Sequence, residues 1–325
     1  MSIGQASLLL VGSFAFTVAS SIVLARELDR LGERLGFSEA LLGIVTAIGA
    51  DAPEIASAVT AIVAGHEDTG VGVVVGSNVF NLAGLLGLSA LIAGPVRIHK
   101  HGLALTGGVA VLVALVGALV AVGTLPGVVG LLIALLVLVP YLVLSSLHSR
   151  SRARLPAVLR EAVVEEQRDA RRDEFPRPAT AIDALAIVPA LAAVIGGAAG
   201  MVVAAQSLGD HWDVSGVVLG ALVLAALTSI PNLLAAVRLA LHGRGAACVS
   251  ESFNSNNANI LVGLCIPALI LGLGSASGVE TFAAWWMFGM TLVAVGLGFG
   301  GGLTRREGAA IVALYFVFAV ILATA

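Results

Sequence analysis

Asp51 and Glu54 flank Pro53 in the stretch Gly49-Ala50-Asp51-Ala52-Pro53-Glu54, inside an apolar segment running from about Leu41 to Ala64. Carboxylates in such a setting can hold a cation, carry a proton or, as two aspartates on separate helices, cleave a peptide. The last chemistry needs a second deep aspartate, and only Asp51 qualifies. A charge at mid-membrane depth costs at least ~2.5–3.5 kcal/mol, so an acid there marks a functional position. Pro53 removes a backbone donor and crowds the preceding turn, leaving carbonyl groups that protein or water must satisfy. The segment is therefore expected to break and to face a wet cavity. Asp51 has a plainer alternative role, capping the half-helix that starts at Pro53.

A second polar patch, Leu227-Thr228-Ser229-Ile230-Pro231-Asn232, follows at a fixed offset: Pro53 maps onto Pro231 and Glu54 onto Asn232. The same shift carries Gly65 to Gly243, Ser77 to Ser255, Asn78 to Asn256 and Asn81 to Asn259. It thereby aligns Gly76-Ser77-Asn78-Val79-Phe80-Asn81 with Asn254-Ser255-Asn256-Asn257-Ala258-Asn259. The four patches supply carboxylates from Asp51 and Glu54, amide oxygens from Asn81, Asn232 and Asn259, and hydroxyls from Ser77, Thr228, Ser229 and Ser255. All are hard oxygen donors. No histidine or cysteine lies in these patches, so the chemistry suits sodium, calcium or magnesium and not zinc or copper. The asparagines and hydroxyls have a structural alternative as hydrogen-bonding glue between membrane helices.

The elements that must position these groups are membrane spans. The 325-residue chain is 58% hydrophobic and 11% charged, which reads as a polytopic membrane protein. Its composition gives nucleic-acid binding no support. Ten apolar runs of spanning length occur at roughly 5–25, 39–64, 70–94, 102–123, 126–147, 181–206, 214–241, 246–273, 280–302 and 308–325. The first is kept as a span, because the basic region of a signal peptide is missing before it. Cys248 and Cys265 lack metal-site spacing and are read as reduced core residues. The one long polar segment, Ser149 to Pro178, is read as a solvated linker that divides the chain into residues 1–148 and 179–325. Five spans per repeat is an odd number, so the second copy must insert upside down, which is the inverted repeat of transporters with a midplane site.

Arg26, Arg30, Arg34, Arg97, Lys100, Arg238, Arg244, Arg305, Arg306 and the linker arginines all fall on one side of this layout. Glu67, Asp68, Asp210, Asp213 and Glu280 fall on the other, with Trp212, Trp285 and Trp286 as an interfacial belt. Retention of basic residues on the cytoplasmic side then predicts a cytoplasmic linker and two extracytoplasmic termini.

Together the two repeats resemble the alpha-repeats of the sodium/calcium exchanger, or cation/calcium antiporter, superfamily, whose repeats carry a G-T-S-x-P-E type motif followed by G-S-N-x-x-N/D. The likeness is that of a divergent prokaryotic-type member and covers both repeats. It implies an all-α fold of ten transmembrane helices in two inverted five-helix repeats, with helices one and six sliding past a core of eight. It also implies cation coordination by Glu54, Ser77, Asn81, Thr228, Asn232, Ser255 and Asn259, to which the residues themselves add Asp51 and Ser229. The implied activity is secondary antiport, not enzymatic catalysis: sodium/calcium exchange by alternating access, with cation/proton exchange through Asp51 or Glu54 as the alternative. No organic cofactor is expected. The expected partners are sodium, calcium or protons and the lipid bilayer of a prokaryotic inner membrane; the oligomeric state is left open, a monomer being compatible with the layout. The sequence departs from the pattern in having Asn232 and Asn259 where acids usually stand, and Ala50 and Asp51 where paired hydroxyls do. Two acids thus come from repeat one and none from repeat two, and that loss motivates a third reading, a sensor or scaffold that no longer transports.

Overall fold

The computed structural model describes residues 1–34, 48–146, 155–157, 159–161, 163–164 and 181–325. The start of the second predicted span, most of the linker and its Arg150, Arg152, Arg154, Arg168, Arg171, Arg172 and Arg177 lie outside the described residues.

The helices are α1 (Ile3–Arg34), α2 (Ala52–Val63), α3 (Glu67–Ala93), α4 (Lys100–Ala121), α5 (Gly127–Ser145), α6 (Ala181–Trp212), α7 (Gly216–Leu241), α8 (Gly245–Leu271), α9 (Gly278–Gly298) and α10 (Arg305–Thr324). Among the described residues nine are long and apolar enough to cross a membrane, and α2 is the shorter one. Backbone groups in hydrocarbon must be satisfied within their own segment, which is why apolar runs of this length become helices. Two short strands, β1 (Val96–Arg97) and β2 (Gly302–Leu303), pair antiparallel between helices.

The repeat is visible in the element boundaries. Helices begin at Ile3, Glu67, Lys100 and Gly127, and at the same offset at Ala181, Gly245, Gly278 and Arg305. Asn78 and its counterpart 178 residues later, Asn256, exchange hydrogen bonds, each Nδ2 donating to the other's backbone carbonyl at 3.3 and 3.1 Å. Such reciprocity marks a local two-fold relation. The partners run in opposite directions: Asn81 lies by Ser252 and Leu85 by Cys248 across α3 and α8, and Thr17 packs on Gly197 and Ser13 on Gly200 across α1 and α6.

Three π-helical segments, not foreseen from the sequence, interrupt the spans at Leu82–Leu88 in α3, Leu219–Leu224 in α7 and Asn259–Cys265 in α8. Each lies beside a polar patch, where π-segments recur at functional sites. Two glycines bring α3 against α7. A Cβ on Gly76 would stand 2.3 Å from the Ala221 Cα, and one on Gly220 would stand 2.2 Å from the Thr69 carbonyl, so only glycine permits this backbone contact.

Charge divides the molecule by ends. The β1–β2 pair brings Arg97 to the start of α10, with Arg305 and Arg306, and Gly245 at the start of α8 packs on the Arg97 backbone. At the other end Glu67 accepts from the Gly274 amide at 2.8 Å, near Asp68 and Glu280. Trp212 and Trp285 are exposed as an interfacial belt requires. Trp286 departs from that expectation, because it packs inward between Phe282 and Phe318. Cys248 and Cys265 are buried and free.

Candidate cation site

The second predicted span breaks one residue before α2. Residues 48–50 are helical, Asp51 bends, and Pro53 sits in the first turn of α2, where its missing N–H costs no intrahelical bond. The matching patch in α7 does not break: Pro231 lies within continuous helix. One turn earlier in α7 the Thr228 hydroxyl donates to the carbonyls of Leu224 and Ala225 at 2.9 and 3.2 Å, occupying backbone acceptors at the end of the π-segment.

The capping role considered for Asp51 does not occur, since its side chain makes no bond to the first turn of α2. Its Oδ1 instead crosses to the second repeat, accepting from Asn232 Nδ2 at 2.7 Å and from Ser255 Oγ at 2.7 Å. Glu54 does likewise: Oε1 accepts from the same Asn232 nitrogen at 3.1 Å, and Oε2 accepts from Asn259 Nδ2. Asn81 Nδ2 donates to Ser255 Oγ and Asn256 Oδ1 at 3.0 and 3.1 Å. Both carboxylates are 1% exposed, so bulk water cannot screen them.

The polar atoms divide by type. The amide nitrogens of Asn81, Asn232 and Asn259 are all spent on oxygen acceptors. The buried atoms without a hydrogen-bond partner include five oxygens of the predicted set: Asp51 Oδ2, Ser77 Oγ, Asn81 Oδ1, Ser229 Oγ and Asn259 Oδ1. Ser229 flanks Glu54 without the geometry of a hydrogen bond. A buried oxygen left unpaired costs about 1–3 kcal/mol. All five are hard donors of the kind a cation such as calcium or sodium takes in numbers.

Of the nine predicted site residues, Asp51, Glu54, Asn81, Asn232, Ser255 and Asn259 are joined in one hydrogen-bonded network. Ser77 and Ser229 are fully buried with free hydroxyls, and Thr228 is bonded to its own helix. Sequence reasoning passed over Asn78 and Asn256, although both stand in the aligned motifs, because spacing alone does not separate a ligand from the pair that joins the repeats. It also passed over Asn257, a buried amide with neither end bonded.

Comparison with known proteins fits this geometry. A stretch of 90 residues, 27% of this chain, is 36% identical to the putative antiporter CaxA of Alkalimonas amylolytica, of which it covers 28%. A stretch of 84 residues is 35% identical to human sodium/potassium/calcium exchanger 4 and spans 14% of that protein. The chain thus aligns with well under half the length of these relatives. Over nearly its whole length it superposes on the H+/Ca2+ exchanger CAX, with a TM-score of 0.70, 14% identity and coverage of 98% of this chain and 85% of the other. It also superposes on the sodium-calcium exchanger NCX_Mj, with a TM-score of 0.62, 20% identity and coverage of 97% and 98%. At such identities the likeness is one of fold. The family model described as sodium/calcium exchanger protein matches residues 6–148 and 183–324, and the chain therefore belongs to the sodium/calcium exchanger family of membrane cation exchangers.

Proposed function

We propose that this protein is a secondary antiporter exchanging calcium for sodium, with both ions competing for the oxygens of Asp51, Glu54, Ser77, Asn81, Ser229, Asn232, Ser255 and Asn259. Thr228 supports the site by occupying backbone carbonyls where the π-segment of α7 ends. One observation carries the reading: among the described residues, two deeply buried carboxylates have no lysine or arginine partner and are hydrogen-bonded to residues of the second repeat, in a set of buried residues from both repeats that keeps unpaired oxygens. Alternating access would come from α1 and α6, which pack on each other and touch α2 through Leu24, Ala52, Ala56 and Ala198. Residues 1–148 and 179–325 form the two inverted halves. The arginine-bearing end with the linker faces the cytoplasm of a prokaryotic cell, which leaves both termini outside.

Proton coupling is the second reading. It is favoured by the closeness of the two carboxylates, both within hydrogen-bond reach of the one Asn232 nitrogen, so that a proton on one would relieve their mutual repulsion. Proteoliposome flux decides between them. Calcium uptake driven by a sodium gradient without a pH change supports sodium coupling. A matching pH change supports proton coupling, and calcium binding without any flux supports a sensor.

A further inference from the structure

The arginine-bearing end of the molecule holds a recess that the cation site does not use. A cavity of about 710 Å³, open to the surface, lies between the end of α3 and the start of α10, lined by Ala93, Gly94, Pro95, Thr304, Arg305 and Arg306. Gly94, with a φ of 89°, and Pro95 turn the chain away from α3, and the pairing of Val96 with Leu303 ties the two walls together. Arg305 and Arg306 are exposed, and among the described residues neither side chain has an ion pair or hydrogen bond. Glu307, the acid of that turn, is folded back: its carboxylate accepts from the Thr304 amide at 2.6 Å, and the Thr304 hydroxyl accepts from the Glu307 amide. Two cations in the first turn of a helix oppose its dipole, a penalty that an anion held against them reverses. Both helices leave the apolar core at this level, Ala93 ending one span and Arg305 beginning another, which is the depth of lipid phosphates. Ile92, exposed on the last turn of α3, gives an acyl chain an apolar wall beside the arginines.

We propose that this recess binds the phosphate headgroup of an acidic phospholipid, with Arg305 and Arg306 donating to the phosphate oxygens, and that the bound lipid staples α10 to the end of α3. A planar guanidinium matches phosphate geometry with two parallel bonds, so two unpaired arginines on one wall suit a phosphate. Inorganic phosphate shares that chemistry, but it has no use for the apolar wall or for a place at the bilayer surface.

The test uses the full chain in an uncharged detergent, titrated with phosphatidylglycerol, phosphatidylcholine or inorganic phosphate. Native mass spectrometry counts retained lipid, and melting is followed in parallel. Phosphatidylglycerol is expected to be retained and to raise the melting temperature, and phosphatidylcholine to do neither. Arg305→Gln combined with Arg306→Gln should weaken retention at least about tenfold, the worth of one charge-assisted hydrogen bond. Both side chains are exposed, so the lipid-free melt should not change; if it does, Arg306→Gln alone is the milder variant. Arg26→Gln removes an exposed charge at the same end but outside the recess, and its retention should stay within about threefold of the parent's. Equal losses from the recess and Arg26 variants would reduce the attraction to general surface charge and overturn the site. Undiminished retention by the recess variants, or equal retention of the two lipids, would do the same. Inorganic phosphate that protects the protein as well as phosphatidylglycerol would overturn the lipid as occupant.

Discussion

Replacing Glu54 by Gln separates the charge of the site from its shape. Glu54 Oε1 accepts from Asn232 at 3.1 Å and Oε2 accepts from Asn259. An amide in that place offers one acceptor to two donors, so one asparagine loses its bond to position 54 and meets an NH2 group there, at about 1–3 kcal/mol. That bounds the structural effect, which reads out as a modest fall in melting temperature. The electrostatic effect is larger and scales with valence. At an effective dielectric of ~20 and a separation of ~4 Å, the lost charge is worth about 4 kcal/mol to a monovalent cation and about twice that to a divalent one. Every 1.4 kcal/mol is about tenfold in affinity. Sodium should therefore weaken by up to about a thousandfold, and calcium by at least about a hundredfold more than sodium. Calorimetric titration of detergent-purified parent and variant with each chloride salt measures both losses. Equal factors for the two cations would refute the reasoning, because the carboxylate would then act through shape alone. Unchanged calcium binding would remove Glu54 from the site.

Ser255→Ala deletes a 2.7 Å donor to Asp51, worth about 1.5–3 kcal/mol to a charged acceptor; the calcium-free protein should melt lower in detergent, and an unchanged melt would mean that Asp51 is not charged there. Gly76→Val places a Cβ 2.3 Å from the Ala221 Cα and should cost about 1–3 kcal/mol or more as α3 and α7 part. Gly108→Ala, with open space around it, is the neutral control in the same melt. Gly197→Leu collides with Thr17 Oγ1 between α1 and α6; flux should fall while calcium affinity, set by other helices, stays within about threefold. A cysteine at Ser2 should react with an impermeant maleimide added to intact cells, and protection there would reverse the orientation assigned from the arginines.

Much of this arrangement was legible in the sequence because hydropathy and repetition are both written at fixed spacing. Runs of spanning length become helices wherever the backbone must satisfy itself, and the offset from Pro53 to Pro231 recurs in the starts of four helix pairs. The polar patches could be named for the same reason: a hydroxyl, amide or acid at that depth needs a partner. What did not follow was direction. Whether Asp51 caps its own helix or crosses to Asn232 depends on where α7 and α8 lie, a tertiary matter that the stretch Gly49 to Glu54 does not encode. The π-segments were hidden because their sequences, such as Leu82–Leu88, are ordinary apolar helix formers. Trp286 turned inward because Phe282 and Phe318 offered it aromatic faces, whereas the sequence alone gave it only a position near a span's end.

The neutral residues of the second repeat take on a role once the geometry is known. Asp51 Oδ1 and Glu54 Oε1 both lie within hydrogen-bond reach of one nitrogen, that of Asn232. Two carboxylates so placed repel when both are ionised, and a bare pair would relieve this by holding a proton between them. The Asn232 amide sets its positive end between them, Asn259 does the same for Glu54 Oε2, and Ser255 for Asp51. Their oxygens, with those of Ser77 and Ser229, supply acceptors without adding charge. An acid at position 232 would replace that donor with a third repelling group. Both carboxylates thus stand in repeat one, and neutral donors from repeat two hold them there.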